Sequence, residues 1–561
     1  MIATLCAAAL AGTTRFSLVR EAGRDWLVTP GGRKTFSFGV CCVGHGQDFP
    51  DYDPAKPGYA GFRYYPSGSA WAQDAVDRLQ KWGFNTIGAW SDTDLLRKPA
   101  APNLLFTPIL HMGSAAGAPW RDMWDPEIVA LMDKIAKDQI VPLQKEKRVV
   151  GYFSDNEMGW WNAAMFEWSW KGPYSRVRLT DLLRRRYRGS WAALTKDFVP
   201  SEATSFAGLA KKGRVFLRPG GNGVEAVHAW MEVLAERYYF LCRSIIKKYD
   251  PGALYLGDRY ISNFYPEVAK AAGKYVDILS TNLNADWPDG SFARFYLPNL
   301  ERLCGKPMMI TEYYECARDG RSGNRNDSSG FPVVDTQAER ATAFLAQTRT
   351  LLETPYVVGA HWFQYYDEPK FGRDDGENYN MGLVDIDNRP YEEMTKASAS
   401  LDLVRKHQRP LPALGDVRQG VPPLAERDLK DLAKWPRNRA YVPPTGLDER
   451  ADLYFGWTPS GLYVTVYWNE DRFPEAYYKD GKIPASEHAR LKLTVNGKSF
   501  NLDLETTPLA IHRTLDTRCW AILKLAPGVY RAGQAVSLDA NLITRSHAYR
   551  AHWHGKYTLS S

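Results

Sequence analysis

Val149-Val150-Gly151-Tyr152-Phe153-Ser154-Asp155-Asn156-Glu157-Met158-Gly159-Trp160-Trp161 is the stretch from which the rest of the chain is read. A short apolar run that stops at a polar cluster reads as a buried strand carrying side chains to its carboxyl end. Barrel and open-sheet enzymes keep their chemistry at that end. Taken alone, Asp155-Asn156-Glu157 is more simply a strand that runs out into a solvated acidic turn. The neighbouring segments decide between the two.

Working outward, the same pattern recurs. A small hairpin over residues 15–35 comes first. Phe36 to Val40 is then an apolar run ending near Gly44-His45-Gly46, and Trp71 to Trp82 has the apolar spacing of a helix. Phe84 to Gly88 ends at Trp90-Ser91-Asp92, and Leu104 to Leu110 ends at His111. Pro126 to Ile140 is helical, with Pro126 suited to a first turn. The opening stretch is then a fourth strand. Beyond it, Asp181 to Arg188 and Val224 to Tyr249 read as helices, and Ser201 to Gly223 as an irregular insertion. Ala253 to Gly257 ends at Asp258-Arg259, Val276 to Ser280 ends at Asn282 and Asn284, and Pro307 to Thr311 ends at Glu312-Tyr313-Tyr314. Arg318 to Ser329 reads as a mobile loop, Gln337 to Leu352 as a helix and Val357 to Trp362 as an eighth strand. Eight strands alternating with helices predict an α/β chain with a (β/α)8 TIM barrel over residues 15–400.

The composition shifts after that. Prolines at 410, 412, 422, 423 and 436 mark residues 401–438 as a linker. Residues 439–561 show short alternating or β-branched runs separated by turns such as Asn496-Gly497, which predicts a C-terminal all-β sandwich. Trp457, Tyr467 and Trp468 look exposed there, so the unit is either a glycan-binding module or an inert support.

Composition excludes several function classes. A chain of 561 residues is too long for one ordinary core. Net charge is only +7, with basic residues dispersed among acids, so no nucleic-acid stripe is present. The seven cysteines include no C-x-x-C pair, so neither a metal nor a cofactor is expected. Cys41 and Cys42 read as buried thiols. No run reaches transmembrane length, so no membrane partner is expected. The apolar start, residues 1–14, resembles the end of a secretory signal without its basic region; secretion or a periplasmic location is the expectation.

The chemistry follows from position. Strands four and seven of a closed barrel face each other across its mouth, which places Glu157 opposite Glu312. Carboxyls about 5–5.5 Å apart form the pair of a retaining glycosidase, one kept protonated as acid and one ionised as nucleophile. Asn156 is placed to bond a sugar 2-hydroxyl.

These residues carry a resemblance. Asn156-Glu157 and Thr311-Glu312 resemble the acid/base and nucleophile signatures of the clan A retaining glycoside hydrolases, and Trp362 resembles that clan's sugar-stacking tryptophan. Trp82 to Asp92, Gly151 to Glu157 and Leu254 to Arg259 are more narrowly similar to segments of the family 50 β-agarases. That family carries a large N-terminal non-catalytic domain, whereas this chain nearly starts at the barrel and has its sandwich at the other end. The resemblance implies a barrel, retention of configuration and a galactan-type carbohydrate substrate, agarose or its oligosaccharides, cleaved at β-galactosidic bonds. A β-galactosidase acting on small galactosides and a non-catalytic carbohydrate-binding barrel are the alternatives.

Accessory residues have two readings each. His45 and His111 either line the subsite floor or are satisfied core histidines. Trp90, Trp160 and Trp362 stack on substrate if the barrel is right, and otherwise pack. Arg259 either holds Glu312 ionised or is structural. Asn282 and Asn284 bond hydroxyls or cap a loop, and of Tyr313 and Tyr314 one points to the site and one to the core. Trp161, Trp168 and Trp170 either extend the cleft or pack, and packing is the simpler reading. Glu315, Asp367 and Glu368 crowd the site.

Overall fold

The computed structural model describes residues 15–99, 101, 103–260, 265–327, 331–407, 420–443, 445, 451–513, 518–544 and 550–561. The expected leader at residues 1–14 and the linker prolines Pro410 and Pro412 lie outside them. Among the described residues, no helix is long and apolar enough to cross a membrane.

Eight parallel strands organise the first part of the chain: β1 (Ser37–Val40), β2 (Thr86–Ile87), β3 (Leu105–Phe106), β4 (Gly151–Tyr152), β5 (Leu254–Tyr255), β6 (Leu279–Asn282), β7 (Met308–Tyr313) and β8 (Val357–Trp362). β1 pairs with β2 and β2 with β3. Bridges from Phe106 to Val149 and from Ile109 to Phe153 join β3 to the β4 segment. β4 pairs with β5, and a Tyr260–Thr281 bridge joins β5 to β6. β6 pairs with β7, β7 with β8, and β8 with β1, so the succession returns to its start.

Alternation explains why these runs are apolar throughout. Leu105, Val150, Leu254, Met309 and Val358 form one small cluster with Phe16 and Leu27 of the N-terminal hairpin. Their chain neighbours Phe106, Val149, Tyr255, Met308 and Val357 join a different, larger cluster with the helices. Successive side chains of a strand point to opposite faces, and both faces of this ring are covered. The helices start where their sequences allow. Ser67 accepts from the Ala70 amide ahead of Gly68–Lys81, Asp125 accepts from Glu127 ahead of Pro126–Ile140, and Thr336 with Glu339 forms a capping box on Gln337–Glu353.

Two expectations are corrected. Ser201 to Gly223 is not wholly irregular: Phe198–Ser201 pairs with Arg214–Leu217, and the helix Phe206–Lys211 lies between them. Val215 and Leu217 alternate with half-buried neighbours, a period hidden by the flanking Lys, Arg and Gly. The helix read over Asp181 to Arg188 runs over Pro173–Arg186, beginning at a proline.

The C-terminal region contains a five-stranded and a four-stranded sheet, antiparallel throughout. Leu453, Phe455, Val464 and Val466 of the first share a core with Leu491, Leu493, Leu538 and Trp553 of the second. The other face of the five-stranded sheet, with Tyr454, Tyr463 and Tyr467, packs into the same cluster as the ring's helices. Its long strands Ala451–Thr458 and Gly461–Asn469 are therefore buried along their whole length. This corrects the expected exposure of Trp457, Tyr467 and Trp468, all of which are buried. Between ring and sheets, Leu432 and Trp435 are buried, Val421 bridges Leu559, and Pro423 bridges Trp457.

Candidate active site

A cavity of about 730 Å³ opens at the carboxyl ends of the ring strands. Its walls include Glu157 and Glu312, together with Asn156, Trp90, Asn282, Asn284 and Tyr314 from the sequence expectation. The backbone bends sharply into it. Cys42, Trp90, His111, Glu157 and Arg259, each shortly past the end of one of the strands β1 to β5, have φ of 55°, 62°, 51°, 47° and 53°. A non-glycine residue at positive φ is held by its surroundings at a cost of order 1–3 kcal/mol, and such residues cluster at functional sites. β7 departs from regular register against both neighbours, so that Asn282 lies opposite Glu312. Such irregularities re-aim side chains.

A polar chain ties the two glutamates together. The Thr311 hydroxyl donates to Asn282 Oδ1 at 2.7 Å, which orients the amide. Asn282 Nδ2 then donates to Glu157 Oε1 at 2.8 Å and to Asn156 Oδ1 at 3.3 Å. Asn156 Oδ1 also accepts from Arg259 Nε at 2.8 Å, and Arg259 Nη2 is paired with Glu312 Oε1. Arg259 is wholly buried beneath the cavity and lies over the Phe153 ring. Burial raises the Glu312 pKa, while the Arg259 guanidinium and a hydrogen bond from Trp90 oppose that rise.

The layer below is structural. Asp155 accepts from the Gly113 and Ser114 amides, the Ser114 hydroxyl and Tyr238. Burial pushes its pKa up to about 7. A Cβ at Gly113 would sit 2.5 Å from Asp155 Oδ2, so only glycine allows this anchor. Asp258, which accepts from Trp160 Nε1 at 2.9 Å and Tyr239 at 3.0 Å, is pushed up to about 6 by burial.

Other expected site residues fall elsewhere. Trp160 is fully buried against Tyr238 and Tyr239 and packs below the site; it does not stack on substrate. Trp362 is likewise buried, donating to Met381 O at 2.9 Å and packing on Tyr313 and Phe344. Trp362, the last residue of β8, follows the strand's outward face into the helix layer, whereas Trp160 lies in the loop beyond β4. His111 supports Trp90 with ring centroids 4.6 Å apart, and burial and Arg259 lower its pKa. His45 is off the cavity wall, bonded to Asp92 and Asp48; burial lowers its pKa, but these carboxylates outweigh burial and the net shift is upward. Glu315 and Asp367 are buried away from the cavity, Asp367 accepting from Ser322, Asn380, Gly382 and Tyr391.

Glu368 does line the cavity. Its Oε2 accepts from the Tyr379 amide at 2.6 Å, and burial together with the Glu377 charge pushes its pKa up to about 8. Cavity residues that the sequence reading missed include Cys42, Tyr366, Arg373, Glu377 and Arg472, and Trp161, for which packing was the simpler reading, also lines the wall. Cys42 is partly exposed, while its neighbour Cys41 is buried as expected. Local periodicity gives no help with these: residues 363–377 follow neither a helix nor a strand period, and Arg472 comes from the C-terminal sheets.

No family model matches the chain. Two curated proteins of Vibrio sp. (strain JT0107) do: β-agarase B is 30% identical over 351 residues, covering 58% of this chain and 35% of that one. β-Agarase A is 29% identical over 372 residues, covering 60% and 36%. The chain thus spans about a third of the length of these relatives. Among solved structures, that of an exo-β-agarase superposes with a TM-score of 0.59 at 22% identity, over 72% of this chain and 67% of that one. An agarase structure, AgWH50C, gives 0.58 at 24% identity, over 71% and 66%. The fold is shared with these enzymes, and the closeness to the family 50 β-agarases read from the sequence holds.

Proposed function

We propose that the ring is a (β/α)8 barrel and that the chain is a retaining glycoside hydrolase acting on β-galactosidic bonds of a galactan such as agarose or its oligosaccharides. One observation carries the reading: two carboxyls at one cavity, Glu157 and Glu312, are joined through Asn282, Asn156 and Arg259. Double displacement requires that the two environments differ. Glu312 sits directly against a buried guanidinium and serves as the ionised nucleophile. Glu157 accepts from the neutral Asn282 amide and serves as acid and then base.

In the first step Glu312 attacks the anomeric carbon while Glu157 gives its proton to the leaving glycosidic oxygen. In the second, Glu157 takes a proton from water, which displaces Glu312 from the sugar. Asn156, held by Arg259 and Asn282, is placed for the 2-hydroxyl, where a hydrogen bond strengthens as the oxocarbenium-like transition state forms. The galactan substrate is supported by the names of the similar proteins, which are β-agarases. Export of the protein is part of the proposal, since such polymers are met outside the cell.

The test is product analysis on agarose oligosaccharides, with anomeric configuration followed by NMR during early turnover. The expected first product keeps the β configuration, and Glu312→Ala and Glu157→Ala each lose at least about 1,000-fold in kcat. An inverted first product, or wild-type turnover in either variant, overturns the reading.

A further inference from the structure

The cavity wall is not built by the ring alone. Arg472, in the turn that follows the strand Gly461–Asn469 of the five-stranded sheet, reaches the same cavity as Glu157 and Glu312. Its guanidinium lies over the Trp161 ring, 5.2 Å from the centroid, and Trp161 is itself a wall residue. The turn is locked to the ring side on both flanks of Arg472. Asp471 is buried and accepts from the Ala163 amide at 3.0 Å, and Phe473 packs edge-on against Trp161 with centroids 5.3 Å apart. Arg472 stays exposed between these two anchored neighbours.

Its electrostatic situation sets it apart from the other cavity arginines. Arg259 is paired with Glu312, and Arg373 with Glu368, Asp375 and Glu377. Arg472 has no carboxylate within ion-pairing distance among the described residues. A guanidinium whose face rests on an indole keeps its in-plane N–H fork for acceptors at its edge. A cation that is positioned, unpaired and open to a cavity is placed to meet a ligand's oxygens.

We propose that Arg472 is a substrate-binding residue supplied to the site by the C-terminal sheets. Its N–H fork donates to oxygens of a saccharide unit lying along Trp161, either a pair of hydroxyls or a sulfate ester on the galactan. This rests on the hydrolase reading above. It gives the C-terminal unit a part in the site itself, which a platform of Trp457, Tyr467 and Trp468 cannot do because all three are buried.

The experiment uses the full chain with Arg472→Ala and Arg472→Lys, assayed on neutral agarose oligosaccharides and on sulfated galactan oligosaccharides of the same length. Arg472→Ala is expected to raise KM about tenfold with kcat little changed, the loss of hydrogen bonds from a charged donor, and to leave the melting temperature unchanged. Rescue by Arg472→Lys on sulfated chains only assigns the acceptor to sulfate; failure to rescue on either assigns it to a hydroxyl pair. Unchanged KM on both substrates overturns the proposal. Calorimetry of the same oligosaccharides on Glu312→Ala and on Glu312→Ala/Arg472→Ala separates this from the hydrolase reading. If the wild type hydrolyses nothing but the two variants differ in affinity, only the hydrolase reading fails. If their affinities are equal, the role of Arg472 fails.

Discussion

The ring mouth and the C-terminal sheets are built on opposite principles. At the mouth, strands β2 to β5 have only two paired residues each, and five non-glycine residues at positive φ follow the first five strands. Charged and polar groups, Asp155, Asp258 and Arg259 among them, are buried there outright. In the C-terminal sheets the strands run to nine or ten residues, as in Gly461–Asn469 and Arg518–Pro527, over an apolar core. Among the described residues of that region only Asn496 has a positive φ outside glycine, in a turn next to Gly497. Strain is thus concentrated where chemistry is expected, whereas the charges that the sheets bury, Asp452 and Asp471, are bonded to the ring side. The contrast teaches that the two regions should answer differently to equally damaging changes.

The largest effect should come from Arg259→Met. It leaves the Glu312 carboxylate buried without its partner, which is expected to cost about 3–5 kcal/mol of stability. It also removes the shorter of the two hydrogen bonds that hold Asn156, so kcat/KM should fall at least about 100-fold in protein that is still folded. Leu538→Ala, in the core shared by the two sheets, should cost a similar amount of stability, about 2–5 kcal/mol. Its kcat/KM, measured well below its melting temperature, should match the wild type. A tenfold loss of kcat/KM in Leu538→Ala would break the division between the regions.

A smaller effect concerns the seam. Asp452 accepts from the Arg294 amide at 2.7 Å and from Tyr454 at 2.9 Å, and burial pushes its pKa up to about 7. Asp471, on Ala163, is pushed up to about 6 by burial. A carboxyl whose folded pKa is raised binds its proton more tightly folded than unfolded. Stability from such groups is therefore present at low pH and declines as pH rises from about 4 through about 7. Thermal unfolding should show a lower melting temperature at pH 8 than at pH 6. Asp452→Asn, neutral throughout, should make that slope shallower without changing kcat. Asp155, pushed up to about 7 at the mouth, is the counterpart: Asp155→Asn should flatten the slope and also cost activity. Equal activity losses in the two variants would erase the distinction.

Much of the ring was legible because its code is local. Apolar runs ending in polar clusters, helix caps and the Pro126 start are read from neighbouring residues, and Glu157, Glu312, Asn156 and Asn282 inherit their positions from strand order. Trp362 was misread because residue type at a strand end does not say which face the side chain takes, and Trp160 because it lies in the loop beyond β4, whose course neighbouring residues do not fix. A single-residue change of direction sends an indole to the helices instead of the cavity. The aromatic residues of the C-terminal sheets were misread for a related reason. A strand buried on both faces and one that displays aromatics can have the same sequence, and only the docked ring distinguishes them. Arg472 was invisible because its significance depends on where another part of the chain, Trp161, comes to lie.

The smallest predicted effect tests whether backbone strain has the same meaning in both regions. Gly497 has φ of 77° and nothing within 4 Å of where a Cβ would stand, so Gly497→Ala meets no steric opposition apart from its own backbone. The cost is then that of holding an L-residue in the left-handed region, about 1 kcal/mol. The turn joins Arg490–Val495 to Lys498–Asp503 in the four-stranded sheet. Among the described residues that sheet contributes none to the cavity, whereas the five-stranded sheet carries Arg472. Differential scanning calorimetry should register a drop of a few degrees, roughly what 1 kcal/mol produces in a domain of this size, and KM and kcat should stay at wild-type values on every substrate. A changed KM would mean that the outer sheet's geometry is transmitted through the shared core to the Arg472 turn, and the two sheets would then have to be treated as one part of the site.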